Sequence, residues 1–152
     1  MVTLRPYQQQ AIDSLRNAVK LGMRRPMLVA PTGSGKTVIA ASLIYHAQQK
    51  GSQILFVAHR RELIAQTSRK LDDIGADHGI IQAGNTRTND LPIQVASVQT
   101  MNRRQSWFTP TIIVADECHH LVSDSWQKIV NEFPSAVVIG LTATPCRTDG
   151  KG

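Results

Sequence analysis

The chain has little that suits a secreted or membrane-bound protein. Its two cysteines, Cys118 and Cys146, cannot form a disulfide framework, which points to a reduced, cytoplasmic compartment. A zinc site built from Cys118, His119, His120 and Cys146 is disfavoured, because no C-x-x-C pair is present. No apolar run approaches the length of a membrane span, and no secretory leader, internal repeat or low-complexity segment is visible. Aromatic residues make up only 5%, too few near the basic stretches for base stacking to dominate nucleic-acid binding. Charged residues are also sparse, at 18% against 41% hydrophobic, which excludes a disordered chain. The cations exceed the anions, 17 Lys+Arg against 11 Asp+Glu for a net charge of +6, and that balance favours a polyanionic partner. At 152 residues the chain forms one domain with a single sizeable core.

One stretch organises what is present. The apolar run Pro26-Met27-Leu28-Val29 leads into Ala30-Pro31-Thr32-Gly33-Ser34-Gly35-Lys36-Thr37, and an apolar-periodic segment begins at Val38. Strand, glycine loop and helix in that order are the context of a phosphate-binding P-loop. Thr32, Gly33, Ser34 and Gly35 supply the loop that wraps a polyphosphate, and the two glycines put no Cβ in the way of the inward-facing N–H groups. Lys36 places an ammonium on the β- and γ-phosphates, and the Thr37 hydroxyl can ligate Mg2+. Ala30 stands where the strict pattern has glycine, a position that requires smallness more than a positive φ. A dinucleotide-binding turn is excluded, because Val38 occupies the third glycine position and no acidic residue follows Val57-Ala58-His59.

Periodicity predicts a first helix from Pro6 to about Leu21, with Leu4, Tyr7, Ala11, Leu15 and Val19 on one face and Gly22 at its end. It then predicts a strand at Met27–Ala30, a helix from Gly35 to Gln49 and a doubly buried strand at Gln53–Ala58. A helix follows at Arg60–Ile74, its apolar side formed by Leu63, Ile64, Thr67, Leu71 and Ile74. Strands are expected at Gly79–Ala83, Ile93–Val98, Thr111–Ala115 and Ala136–Leu141, with a helix around Asp124–Glu132. Alternation of this kind gives an α/β domain with a mainly parallel sheet flanked by helices. Ligands of such sheets sit at the carboxyl ends of the strands, and every candidate stretch falls at one of those ends.

The strand Ile112–Ala115 delivers two adjacent carboxylates, Asp116 and Glu117. Asp116 can hold Mg2+, and Glu117 can accept a proton from an attacking water. With the P-loop upstream, the pair completes the catalytic set Lys36, Asp116 and Glu117 for Mg-ATP chemistry, with Thr37 and Asp116 as the metal ligands.

Ala30–Thr37 resembles motif I of superfamily 2 helicases, and Asp116–His119 resembles their DExH box. Leu141–Pro145 is similar to motif III, Val57–Leu63 to motif Ia and Ser97–Met101 to motif Ib, while Leu4-Arg5-Pro6-Tyr7-Gln8 matches the start of many members. These motifs span residues 4–145 in the family's order, with the strongest resemblance to the branch of type III restriction translocating subunits and RadD-like proteins. The resemblance implies a three-layer RecA-like P-loop domain, with the motif III strand between those carrying motifs I and II. It implies that Arg5 and Gln8 contact adenine. Arg60, Arg61 and Gln66 on one side, and Ser97, Gln99, Thr100 and Arg103 on the other, would hold a single-strand backbone. His119, Thr142 and Thr144 would relay nucleotide state to that groove.

The partner implied is DNA, with RNA left open. The resemblance also implies a second RecA-like domain in cis, so that residues 1–152 are the first motor domain alone, expected to be monomeric and nearly inactive as an ATPase. A non-enzymatic nucleic-acid-binding module with a relict nucleotide site is the competing class. A GTPase is disfavoured by the lack of an Asn-Lys-x-Asp motif.

Overall fold

All five residues of the strand Ile54–Ala58 are apolar and buried, so helical layers must cover both faces of the sheet it belongs to. The computed structural model describes residues 5–29, 36–82, 91–103, 109–116 and 124–142. Along these the elements are α1 (Pro6–Lys20), β1 (Met27–Val29), α2 (Lys36–Gln49), β2 (Ile54–Ala58), α3 (Arg61–Asp73), β3 (Gly79–Ile81), β4 (Ile93–Ser97), α4 (Val98–Arg103), β5 (Ile112–Asp116), α5 (Asp124–Glu132) and β6 (Val137–Thr142). The strands form one six-stranded sheet in the order β1-β6-β5-β2-β4-β3, and every neighbouring pair is parallel. The expected α/β architecture is therefore present, and β6 lies between β1 and β5 as the resemblance implied.

Successive side chains of a strand point to opposite faces, and two apolar clusters follow from that alternation. Ile54, Phe56 and Ala58 of β2, with Val95, Val114 and Leu141, pack against α1, α2 and α3 through Ile12, Ile39, Ile44, Ile64 and Leu71. Leu55 and Val57, with Ala96, Ile113, Ala115 and Val138, pack against Ile129, Val130 and Phe133 on the side of α5. Each of these large side chains contributes roughly 1.5–3 kcal/mol on full burial.

The helices stop where glycine permits. Gly75 has φ +76, its N–H bonds the Asp72 carbonyl at 3.1 Å, and the Ala76 N–H bonds that of Leu71 at 2.8 Å. That pair of bonds is a Schellman cap, which requires the left-handed conformation at its glycine. Gly51 closes α2 in the same way, at φ +87.

The structure departs from the sequence expectation at two places. The buried face of α1 is Gln8, Ile12 and Leu15, while Tyr7 is 41% exposed, so the stripe is turned by about one residue. The cause is local: the Gln8 side-chain oxygen accepts the Arg5 backbone N–H at 2.9 Å, and a satisfied amide can be buried where an aliphatic residue was expected. Secondly, the segment after β4 is helical. Ser97 is the N-cap of α4, its Oγ accepting the Thr100 N–H at 3.4 Å, the bond that starts many helices.

Candidate nucleotide site and nucleic-acid interface

Register in the sheet aligns three strand ends. Val29 of β1 pairs with Thr142 of β6, and Leu141 of β6 pairs with Asp116 of β5. The chain segments that leave β1, β6 and β5 therefore start side by side. They are the segments read as the P-loop, motif III and the acidic box. Thr32, Gly33, Ser34, Gly35, Glu117, His119 and Thr144 lie outside the described residues, as does the side chain of Lys36, whose backbone opens α2.

Within the described residues the site is a small cavity lined by Thr37 and Ala40 of α2, Phe56 of β2, Thr67 of α3, Asp116 of β5 and Leu141 of β6. The P-loop threonine and the first residue of the acidic pair, 79 positions apart in the chain, thus share one space. Asp116 is only 3% exposed. A carboxylate in that position is costly unless it has polar or cationic company. The first turn of α2 carries no acidic residue, so its unpaired N–H groups keep their attraction for an anion. One carboxylate and one hydroxyl are hard oxygen donors of the kind Mg2+ takes, and Mg2+ commonly uses one or two carboxylates plus phosphates rather than a full protein cage.

Thr67 is the residue that sequence reasoning missed. It was expected only as part of the apolar side of α3. It is 2% exposed and lines the cavity beside Asp116. The available signal was a hydroxyl among aliphatic neighbours at core spacing. Gln66, expected on the nucleic-acid track, lines a groove with Thr37, Arg69, Lys70, Asp72 and Asp73. Arg5 is exposed at the start of α1, whereas Gln8 is 5% exposed with its side-chain oxygen on the Arg5 N–H.

The other half of the carboxyl edge is built differently. Ala58 of β2 pairs with Ser97 of β4, so motifs Ia and Ib leave the sheet level with each other. The Ser97 hydroxyl donates to Gln99 Oε1 at 2.8 Å, and Gln99 Nε2 lies 3.2 Å from His59 Nδ1. For that contact to be a hydrogen bond, the amide donates and Nδ1 accepts. His59 thus joins the two motifs, a link signalled in the sequence only by its place before Arg60. Arg60 and Arg61 are exposed at the N-terminus of α3, and Gln99 is exposed beside them in the paired motif, whereas Ser97 and Thr100 are buried. The backbone of Arg103 ends α4, and its side chain lies outside the described residues.

Fold and strand-end geometry together define a RecA-like α/β domain. Residues 1–147 match the family model of the type III restriction enzyme, res subunit. The chain is 36% identical over 165 residues to a Saccharomyces cerevisiae protein provisionally named as the ATP-dependent helicase IRC3, covering 96% of this chain and 24% of that protein. It is 28% identical to the DNA 3'-5' translocase XPB2 of Sulfurisphaera tokodaii, covering 99% of this chain and 33% of that one. The UvsW helicase of bacteriophage T4 superimposes with a TM-score of 0.78 at 23% identity, over 94% of this chain and 53% of the other. The chain belongs to the type III restriction res-subunit family, a RecA-like branch of the superfamily 2 helicases. It spans about a quarter of the length of the curated relatives it matches.

Proposed function

We propose that this chain is the ATP-binding first motor domain of a DNA helicase or translocase, acting in the cytoplasm and joined in cis to a second RecA-like domain. The observation that carries the reading is the shared cavity of Thr37 and Asp116 at the aligned ends of β1, β6 and β5.

In this reading Thr32, Gly33, Ser34 and Gly35 wrap the phosphates with backbone N–H groups, and Lys36 neutralises their charge. Thr37 and Asp116 hold Mg2+ through oxygen. The Mg-ATP so held supplies the phosphoryl group and the free energy that drive movement. Glu117 orients the attacking water and takes its proton, while Arg5 and Gln8 position the base. His119, Thr142 and Thr144 pass the state of the site toward the track. Arg60, Arg61 and Gln99 meet the backbone of the strand, with Gln66 and Arg103 beside them. Ser97 and Thr100 hold Gln99 and α4 in place from inside. An arginine supplied by the second domain can contribute ~10³–10⁵ to hydrolysis, so in this reading fast turnover depends on both domains.

Titration with a fluorescent, non-hydrolysable ATP analogue tests the assignment. Mg-dependent binding is expected, weakened at least about tenfold, or ~1.4 kcal/mol, in Lys36→Ala. Equal binding by the variant contradicts the phosphate role. Nucleic-acid binding without nucleotide binding by the unaltered chain indicates the relict module instead. Stimulation of the longer protein's ATPase by RNA rather than DNA would replace the track but keep the motor.

A further inference from the structure

A groove between α1 and α2 carries a surface that the nucleotide and track residues do not use. Leu15 and Val19 of α1 line one side, Leu43 and Ala47 of α2 the other, and Ile112 and Ile139 of the sheet the bottom. Leu15, Leu43 and Ile139 are buried, and the accessible apolar surface is mainly that of Val19, Ala47 and Ile112. The wall residues recur at i, i+4 on each helix, so the groove follows the helix axes. Its space is ≈ 190 Å³, below the roughly 300–1,000 Å³ typical of small-molecule pockets. It therefore seats a row of side chains rather than an enclosed ligand.

Four basic side chains also line this apolar trough: Arg16 and Lys20 from α1, His46 from α2, and Lys50 just past its end. Burial, then the charges of Arg16 and Lys50, lower the His46 pKa from its ordinary value, so the cations of this lining are Arg16, Lys20 and Lys50. In the chain leaving α1, Leu21 is 84% exposed, Met23 53% and Met27 42%, with Arg24 and Arg25 exposed between them. The backbone of Arg24 and Pro26 accepts hydrogen bonds from Val138 and Gly140 of β6, which holds this segment alongside the strand that carries Ile139.

We infer that this groove docks an acidic amphipathic helix of another polypeptide, with aliphatic anchors in the trough and carboxylates against Arg16, Lys20 and Lys50. An amphipathic helix reads such a groove through i, i+3, i+4 and i+7 anchors. A second copy of this chain is a poor occupant, because a two-fold contact through this face sets the same cations against one another. Nucleic acid is a poorer fit, since its phosphates would meet Arg16, Lys20 and Lys50 but leave the aliphatic lining unused. The inference is independent of the nucleotide assignment and survives or fails without it.

The test uses the whole chain and a synthetic 18-residue helical peptide carrying leucines at i, i+3, i+4 and i+7 and flanking glutamates. Controls are the same peptide with lysine for every glutamate, a leucine-scrambled version, and vesicles of anionic phosphatidylglycerol. Binding is followed by the His46 ring proton in NMR. Saturable binding of the acidic peptide is expected, with the His46 pKa rising as carboxylates approach. Lys20→Glu/Lys50→Glu, a change of two exposed side chains, should weaken it at least tenfold with unchanged circular dichroism. Absence of binding, equal binding of the lysine or scrambled peptide, or a His46 response confined to vesicles would overturn the inference. So would concentration-dependent dimerisation that the acidic peptide fails to reverse.

Discussion

The two halves of the sheet's carboxyl edge solve different problems with the same backbone. At the ends of β1, β6 and β5, side chains converge: Thr37, Thr67 and Asp116 line a cavity and two of the three are nearly fully buried. At the ends of β2 and β4, the polar groups diverge. Ser97 and Thr100 are buried, whereas Arg60, Arg61 and Gln99 are exposed. In the proposed reading the few protein oxygens that would meet Mg2+ must be held at fixed positions, the ion's other places being filled by water and phosphate. A nucleic-acid backbone needs only charge at intervals, and exposed guanidiniums on a helix start supply that without tight packing.

Three variants separate these halves. The largest effect is expected for Phe56→Ala. Phe56 sits on β2 but floors the cavity on the converging side, and it is 1% exposed. Truncation should cost ~3–5 kcal/mol, read as a shift in urea midpoint, and nucleotide binding should fall with it. Arg60→Ala/Arg61→Ala should do the reverse. Its stability and nucleotide affinity stay within error, while the slope of log affinity for single-stranded DNA against log salt becomes shallower by about 1.4, from ~0.7 per lost phosphate contact. An unchanged slope would remove both arginines from the track. Ser97→Ala is the mildest: loss of the α4 cap should cost ~0.5–2 kcal/mol in thermal unfolding. It also releases Gln99, with a modest loss of DNA binding and none of nucleotide.

Much of this division was legible in the residues. The glycine loop and the Asp-Glu pair mark the converging half because few other chemistries combine those residue types at strand ends. The alternating elements marked the parallel sheet, and every expected strand and helix between Pro6 and Thr142 has a counterpart within a few residues. What stayed hidden depends on three-dimensional register. α4 is too short, at six residues, for a 3.6-residue period to show, although Ser97 stood at its cap. The face of α1 was misplaced because a buried Gln8 reads as polar until its bond to the Arg5 N–H is seen. Thr67 and His59 acquire roles only once α3 is laid against β2 and β4, and β2 against β4.

If Thr37 and Asp116 act on one bound ion, a double-mutant cycle shows it directly. Mg-dependent affinity for a non-hydrolysable ATP analogue would be measured for the unaltered chain, Thr37→Val, Asp116→Asn and the double variant. Shared use of one site predicts strong coupling, in the range of 0.5–3 kcal/mol, with the double variant scarcely weaker than the worse single one. Losses that simply add would mean the two side chains act separately, and the single Mg-nucleotide site would be contradicted.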